Sequence, residues 1–260
     1  MKTASLSSQA YRSIQRSVFS GALPVGSVVS EVSLADEIGV SRTPVREAIR
    51  RLCVEGLLEQ VPRYGTIVRR QTRREMIELY QLREALESYA VGIAAQNISD
   101  QELIKLETLC DKMRMIAHEL RDSELEALDE DGMGRFLAID MAFHMLLIRA
   151  AGNSRITKLT GESRMLTGCF FRTNRRRHNL QIVAGAYRFH RRIFQAVRRS
   201  DTASARRLTV AHIQAGIQGM LKQYDKLESE APLPKLARLN LPDDLLTEFT
   251  NLEMDDLVDT

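Results

Sequence analysis

The sequence predicts a mainly α chain in two parts. A small N-terminal head of three short helices is closed by a β-hairpin, and an all-α antiparallel helical bundle follows it. Three observations lead there. Across 260 residues the composition is 44% hydrophobic and 27% charged, with no Trp and 5% aromatic residues, a balance that favours helices over sheets. Capping signatures recur ahead of amphipathic stretches. One segment, "LLEQVPRYGTIVRR", instead shows two short apolar runs around a Pro-Arg-Tyr-Gly turn, the pattern of a hairpin.

In chain order, Ala10, Ile14, Val18 and Phe19 give residues 7–20 an apolar stripe at helical spacing, ended by the turn "GALPVGS". "SLADEIG" carries a Ser33-x-x-Asp36 capping box and a stop at Gly39. "GVSRTPVREAIRRL" runs on as a helix to about Glu55, with Val45, Ala48, Ile49 and Leu52 as its apolar stripe. Pro44 falls in the first turn whether Ser41 or Thr43 is the cap, where its missing N–H would be unpaired anyway. Beyond Thr72 the capping boxes "TRRE" and "SDQE" open helices to about Gln96 and Arg121. Four more are expected at 133–151, 154–176, 180–199 and 202–226, making six in a bundle. Gly161 and Gly168 weigh against continuity of the second of these, since an interior Gly costs about 1 kcal/mol relative to Ala. The expected division is 1–72, 73–227 and an acidic tail at 228–260, in which Leu245, Leu246, Phe249 and Leu252 suit a short docked helix, a mobile tail being the alternative.

Charge is distributed unevenly. Residues 1–74 hold twelve Lys/Arg against six Asp/Glu, whereas 228–260 hold two against nine. A basic head suits a polyanion. No run of about 18 apolar residues occurs, which excludes a membrane-spanning helix, and the N-terminus has no secretory pattern. Cys53, Cys110 and Cys169 are scattered among apolar neighbours and read as buried free thiols of a reducing, cytoplasmic setting.

Three helices and a hairpin are the order of a winged helix-turn-helix. In that motif the second helix of the pair enters the major groove by its N-terminal end. Ser41, Arg42, Thr43 and Arg46 occupy this end, and arginine can grip guanine O6 and N7 with two hydrogen bonds. Arg50 lies further along, towards phosphate or solvent, and Arg63, Tyr64 and Gly65 form the hairpin tip. A solvated basic helix edge is the bland alternative, and the capped helix before and hairpin after weigh against it. "SLADEIGVSRTPVREAIRRLCVEGLLEQVPRYGTIV" resembles the DNA-binding head of the GntR family of bacterial transcription regulators. The resemblance implies that Ser41, Arg42, Thr43 and Arg46 contact operator DNA and that Gly65 approaches the minor groove. Val32 departs from it, standing where many members carry a DNA-contacting arginine.

Polar residues interrupt the apolar stripes of three helices in the bundle. Asp140 lies among Phe136, Leu137, Phe143 and Leu147, with His144 four residues on, on the same face. His190 lies among Val183, Ile193, Phe194 and Val197, and His212 among Ala205, Leu208 and Met220. One such histidine is usually a hydrogen-bonded core residue. Three with a carboxylate, costly to bury unless paired, suit a divalent transition metal: zinc, or Mn, Fe or Ni. His118 and His178 fit this less well.

"LREALE", "DMAFHMLLIRAAGN" and "FHRRIFQAV", with the late His212, resemble the FCD domain of the FadR subfamily, and six helices resemble its VanR-like branch. The resemblance implies that Asp140, His144, His190 and His212 are metal ligands, and that a small carboxylate binds beside the metal. Arg83, at the family's "LR" position, is the candidate for holding it, with Arg164 and Arg172 behind, a surface salt bridge being the alternative for each. Phe189 departs from the family, where a glutamate often precedes the histidine. The expectation is a ligand-responsive, homodimeric DNA-binding regulator on a pseudo-palindromic double-stranded operator, not an enzyme, with coupling through the junction at Arg69–Arg74. The alternatives are a metalloenzyme domain fused to a DNA-binding head and a regulator whose histidines are purely structural.

Overall fold

The structure, a computed structural model, describes residues 5–173 and 178–229, without the side chains of 169–173, 227 and 228. The head opens with α1 (Leu6–Ser20), whose Ser5 cap accepts from the Ser8 N–H and which buries Ala10, Ile14 and Val18. After β1 (Val28–Val29) come α2 (Glu31–Ile38) and α3 (Arg42–Val54), then β2 (Leu58–Val61) and β3 (Gly65–Val68). The strands form one antiparallel sheet in the order β1-β3-β2. Buried residues of α1, α2, α3 and the sheet share one core, which includes Val45, Ala48, Ile49 and Leu52 of α3.

Two sequence expectations for the head are corrected. The hairpin is joined by a third strand, β1, too short to carry a periodic signal, which pairs Val28 with Ile67 and Val29 with Thr66. Because β1 ends there, α2 starts three residues early: Ser30, not Ser33, is the cap and accepts from the Ser33 N–H at 3.2 Å. Gly39 ends α2 with a φ of 74°, the left-handed conformation that glycine adopts without strain.

Among the described residues six helices follow: α4 (Arg73–Asn97), α5 (Asp100–Asp122), α6 (Glu130–Ala150), α7 (Ser154–Thr173), α8 (Leu180–Arg198) and α9 (Thr202–Ser229). Both expected capping boxes form, Thr72 with Glu75 and Ser99 with Glu102. Asp129 caps α6 through the Gly132 N–H at 2.8 Å, so this helix also begins earlier than its apolar stripe. One apolar core joins α4, α5, α6, α8 and α9 around Phe143, Leu147, Ile193 and Phe194. A second joins α5, α6 and α8 around Met113, Phe136 and Val183. The helix α7 runs through both of its glycines. A Cβ at Gly168 would stand 2.9 Å from the Phe19 ring, so the missing side chain lets α1 approach α7 closely.

Cys110 is buried and Cys53 half-buried, both as free thiols. Among the described residues no helix is long and apolar enough to cross a membrane. The helix expected around Leu245–Leu252 lies outside the described residues, as do the side chains of Cys169 and Arg172.

Candidate metal centre and nucleic-acid interface

The N-terminus of α3 is an exposed polar edge. Ser41 is its cap by backbone conformation, yet its hydroxyl makes no capping hydrogen bond. Arg42, Thr43, Arg46 and Arg50 are all exposed on α3, while its opposite face fills the head's core. At the wing tip, Arg63 takes a φ of 68° and Gly65 one of 91°. Gly65 pairs with Val61 across the hairpin, leaving Pro62, Arg63 and Tyr64 as an exposed loop.

Sequence reading missed Glu31, the first residue of α2. The Arg46 Nε donates to both Glu31 oxygens at 3.2 Å and its NH2 donates to Oε2 at 2.9 Å. Arg42 NH2 reaches the same oxygen at 3.6 Å. The Arg46 hydrogen bond leads in holding the Glu31 carboxyl below its usual range. An acidic residue beside the basic edge thus fixes where Arg46 points.

The second site lies inside the bundle. Asp140 and His144 of α6, His190 of α8 and His212 of α9 place one ligating atom each within 4.8 Å of all the others. His190 Nε2 is 3.1 Å from His144 Nε2 and 3.2 Å from an Asp140 oxygen, and His144 Nε2 is 3.2 Å from His212 Nε2. His144 and His190 are buried, and the Asp140 side chain keeps 24% exposure. All four donors predicted from sequence therefore converge.

The chemistry of this donor set fits a cation. Nδ1 of His190 donates to the Ala186 carbonyl at 2.7 Å, which orients the ring so that its Nε2 faces the other donors. His144 Nδ1 lies 3.2 Å from Glu87 Oε2, off the line of a well-aligned hydrogen bond, and turns its Nε2 to the same point. Burial, helped by the Arg164 guanidinium, pushes His144 down to about 4, so this imidazole is neutral near pH 7. Burial also pushes His212 well below its usual value. The Nε2 atoms of His144, His190 and His212 turn towards one point, where a cation would take one lone pair from each. Ligands about 2.1 Å from one ion stand roughly 3.4 Å apart in a tetrahedron, close to the 3.1 Å and 3.2 Å that separate His190 Nε2 from His144 and Asp140.

A buried charge network backs the centre, and Glu87 of α4 is its hub. Arg164 of α7 donates from Nε to Glu87 Oε1 at 2.9 Å and from NH2 to Oε2 at 2.6 Å. It also donates from NH1 to Asp140 Oδ2 at 3.2 Å. Arg83 Nε donates to Glu87 Oε1 at 2.8 Å and its NH1 to the Thr167 hydroxyl at 3.1 Å. Burial alone would raise the Glu87 carboxyl, but Arg164, Arg83 and His144 hold it well below its usual range. Asp140 is held low against burial by His190, His144 and Arg164. Arg164 thus touches a candidate metal ligand, whereas Arg83 reaches the centre only through Glu87.

Glu87 was also missed, although it ends the quoted string "LREALE". Its signal was the i,i+4 spacing from Arg83 on the buried face of α4, where a lone carboxylate would be costly. Phe189 lays its ring against His212, with centroids 5.4 Å apart, in place of the glutamate the resemblance led one to expect. His118 is exposed on α5, and His178 is buried against Phe136 away from the cluster.

Comparison with known proteins agrees with this layout. Residues 6–68 match the family of bacterial regulatory proteins, gntR family, and residues 78–215 match the FCD domain. The chain is 27% identical over 206 residues to the uncharacterized HTH-type transcriptional regulator YdhC of Bacillus subtilis, covering 78% of this chain and 86% of that one. It is 36% identical over 136 residues to the Nta operon transcriptional regulator of Aminobacter aminovorans, covering 51% and 58%. The solved structure of Escherichia coli McbR/YncC superposes with a TM-score of 0.73 at 21% identity, covering 85% of this chain and all of that one, and so shares the fold. A GntR head followed by an FCD domain makes the chain a member of the GntR family of bacterial transcription regulators, not an enzyme.

Proposed function

We propose that the protein is a ligand-responsive regulator: a homodimer whose heads (1–72) bind a pseudo-palindromic operator. Its bundle (73–227) takes a divalent metal, zinc foremost, and a small carboxylate. The observation that carries this reading is the convergence of three imidazole Nε2 atoms and the Asp140 carboxylate beside the buried Arg164. Asp140, His144, His190 and His212 would hold the metal, which when bound supplies a Lewis-acidic anchor for an effector oxygen. The protein's own groups do the rest. The Ala186 carbonyl fixes the His190 tautomer, Glu87 orients Arg164, and Arg164 offers its NH1 edge to an incoming carboxylate in competition with Asp140. In the head, Arg42, Thr43 and Arg46 read base edges, Ser41 and Arg50 meet phosphates, and Arg63 and Gly65 bring the wing to a groove.

The test is elemental analysis of the purified protein, followed by zinc titration and binding to DNA fragments that the protein itself selects. The expected result is about one metal per chain, lost in His144→Ala together with the response of DNA binding to small carboxylates. Protein that neither carries nor rebinds metal, with His144→Ala altering stability alone, would make the histidines structural.

A further inference from the structure

Two consecutive residues of α7 face two different sites. Arg164 is bound to Glu87 and Asp140 at the centre. Met165, 7% exposed, belongs to the hydrophobic core of the head, alongside Ala10, Ile14 and Val18 of α1. Leu166 packs against the same core, and Gly168 leaves the space that Phe19 occupies. A shift of α7 large enough to re-seat Arg164 therefore cannot leave the head's core untouched, because close-packed interiors transmit displacement.

A chain of polar contacts runs on from Met165 to the end of the recognition helix. Gln15 Nε2 donates to Met165 Sδ at 2.8 Å and to the Tyr11 hydroxyl at 2.9 Å. Tyr11 donates in turn to Glu55 Oε2 at 2.6 Å, and Glu55 is the C-terminal cap of α3. Arg51 of α3 donates to Glu55 Oε1 at 2.9 Å and stacks 4.0 Å over the Tyr11 ring. The junction at Arg69–Arg74 is fastened differently. Gln71 donates to the Gly56 carbonyl of the head at 2.9 Å, and Arg69 pairs with Glu75 in the first turn of α4, so neither contact reaches the centre.

We propose that α7 couples the centre to the head, with Arg164 as its sensing residue and the Met165–Gln15–Tyr11–Glu55 contacts as its link to α3. This rests on the reading of the centre as a metal site. It adds a route, independent of the interdomain junction, by which occupancy is felt within one chain.

The experiment is amide hydrogen exchange on the full chain, metal-free and zinc-loaded. In the wild type, zinc should slow exchange in α7 around residues 162–168 and also in α1, the latter by roughly fivefold or more, the lower end of ordinary coupling between sites. Met165→Ala should keep zinc affinity and the α7 response while losing the α1 response. Because Met165→Ala also loosens the head's core, Gln15→Ala is the second variant: it removes the hydrogen bonds without emptying a core position, and should weaken the α1 response likewise. An α1 response unchanged in both variants, or absent from wild type while α7 responds, overturns the coupling alone. Failure of zinc to bind overturns the reading of the centre, and this inference with it.

Discussion

Arg164 grips both oxygens of Glu87, at 2.9 and 2.6 Å, inside the bundle, where the two side chains are 3% and 0% exposed. Glu87 also takes Arg83, and Asp140 takes Arg164, so two carboxylates balance two buried guanidinium groups. The net worth of such a cluster is small when intact, but removing one member strands the others. Glu87→Ala should therefore destabilise the protein by roughly 3–5 kcal/mol in denaturant unfolding. Glu87→Gln keeps the shape and should lower zinc affinity by roughly ten- to a hundredfold, as for other groups that orient metal ligands. Wild-type stability in Glu87→Ala would show that the arginines find other partners.

Metal removal has a thermodynamic signature. A ligand that binds the folded state at a hundredfold excess over its Kd stabilises by about 2.7 kcal/mol. Zinc-loaded protein should accordingly melt above chelator-treated protein, and His144→Ala should melt at one temperature in both conditions. Identical melting of wild type with and without metal would count against the centre.

The pair of Arg46 with Glu31 makes a prediction about reading DNA. Arg46→Ala should cut the preference for a selected operator over random DNA by roughly ten- to a hundredfold, with the fold intact by circular dichroism. Glu31→Gln removes an acidic group from the end of the head proposed to meet DNA and frees Arg46. Binding to random DNA should tighten while discrimination falls, read as the ratio of two Kd values at one salt concentration. Unchanged discrimination in both variants would place the reading head elsewhere.

Tyr11 carries a pH signature. Burial, then its bond to Glu55, pushes its hydroxyl from 10.0 up to about 12. A folded value above the unfolded one stabilises fully below pH 10.0 and is lost as pH rises towards about 12. Titration by ultraviolet absorbance should show a late tyrosine component that Tyr11→Phe removes. The same variant should cost about 1 kcal/mol at neutral pH, the usual net worth of one hydrogen bond.

Much of the architecture was legible in local signals. Period 3.6, the Thr72 and Ser99 capping boxes and the Gly39 stop depend on residues within one or two turns, and the helices they announced among the described residues are present. Asp140, His144, His190 and His212 were legible for a related reason: each broke an apolar stripe, and a stripe tells which residues point inward. The sequence by itself therefore determined the helices, the head and the four convergent donors. Only the tertiary structure decided what lies across from what. Strand β1 is two residues long and exists by pairing with β3, Glu31 meets Arg46 fifteen residues on, and Glu87 meets Arg164 seventy-seven residues on. No local rule links such positions, because charge pairing and burial depend on distance in space. The same holds for Met165, an ordinary apolar residue in sequence, whose place in the core of the head was settled by how α1 packs against α7.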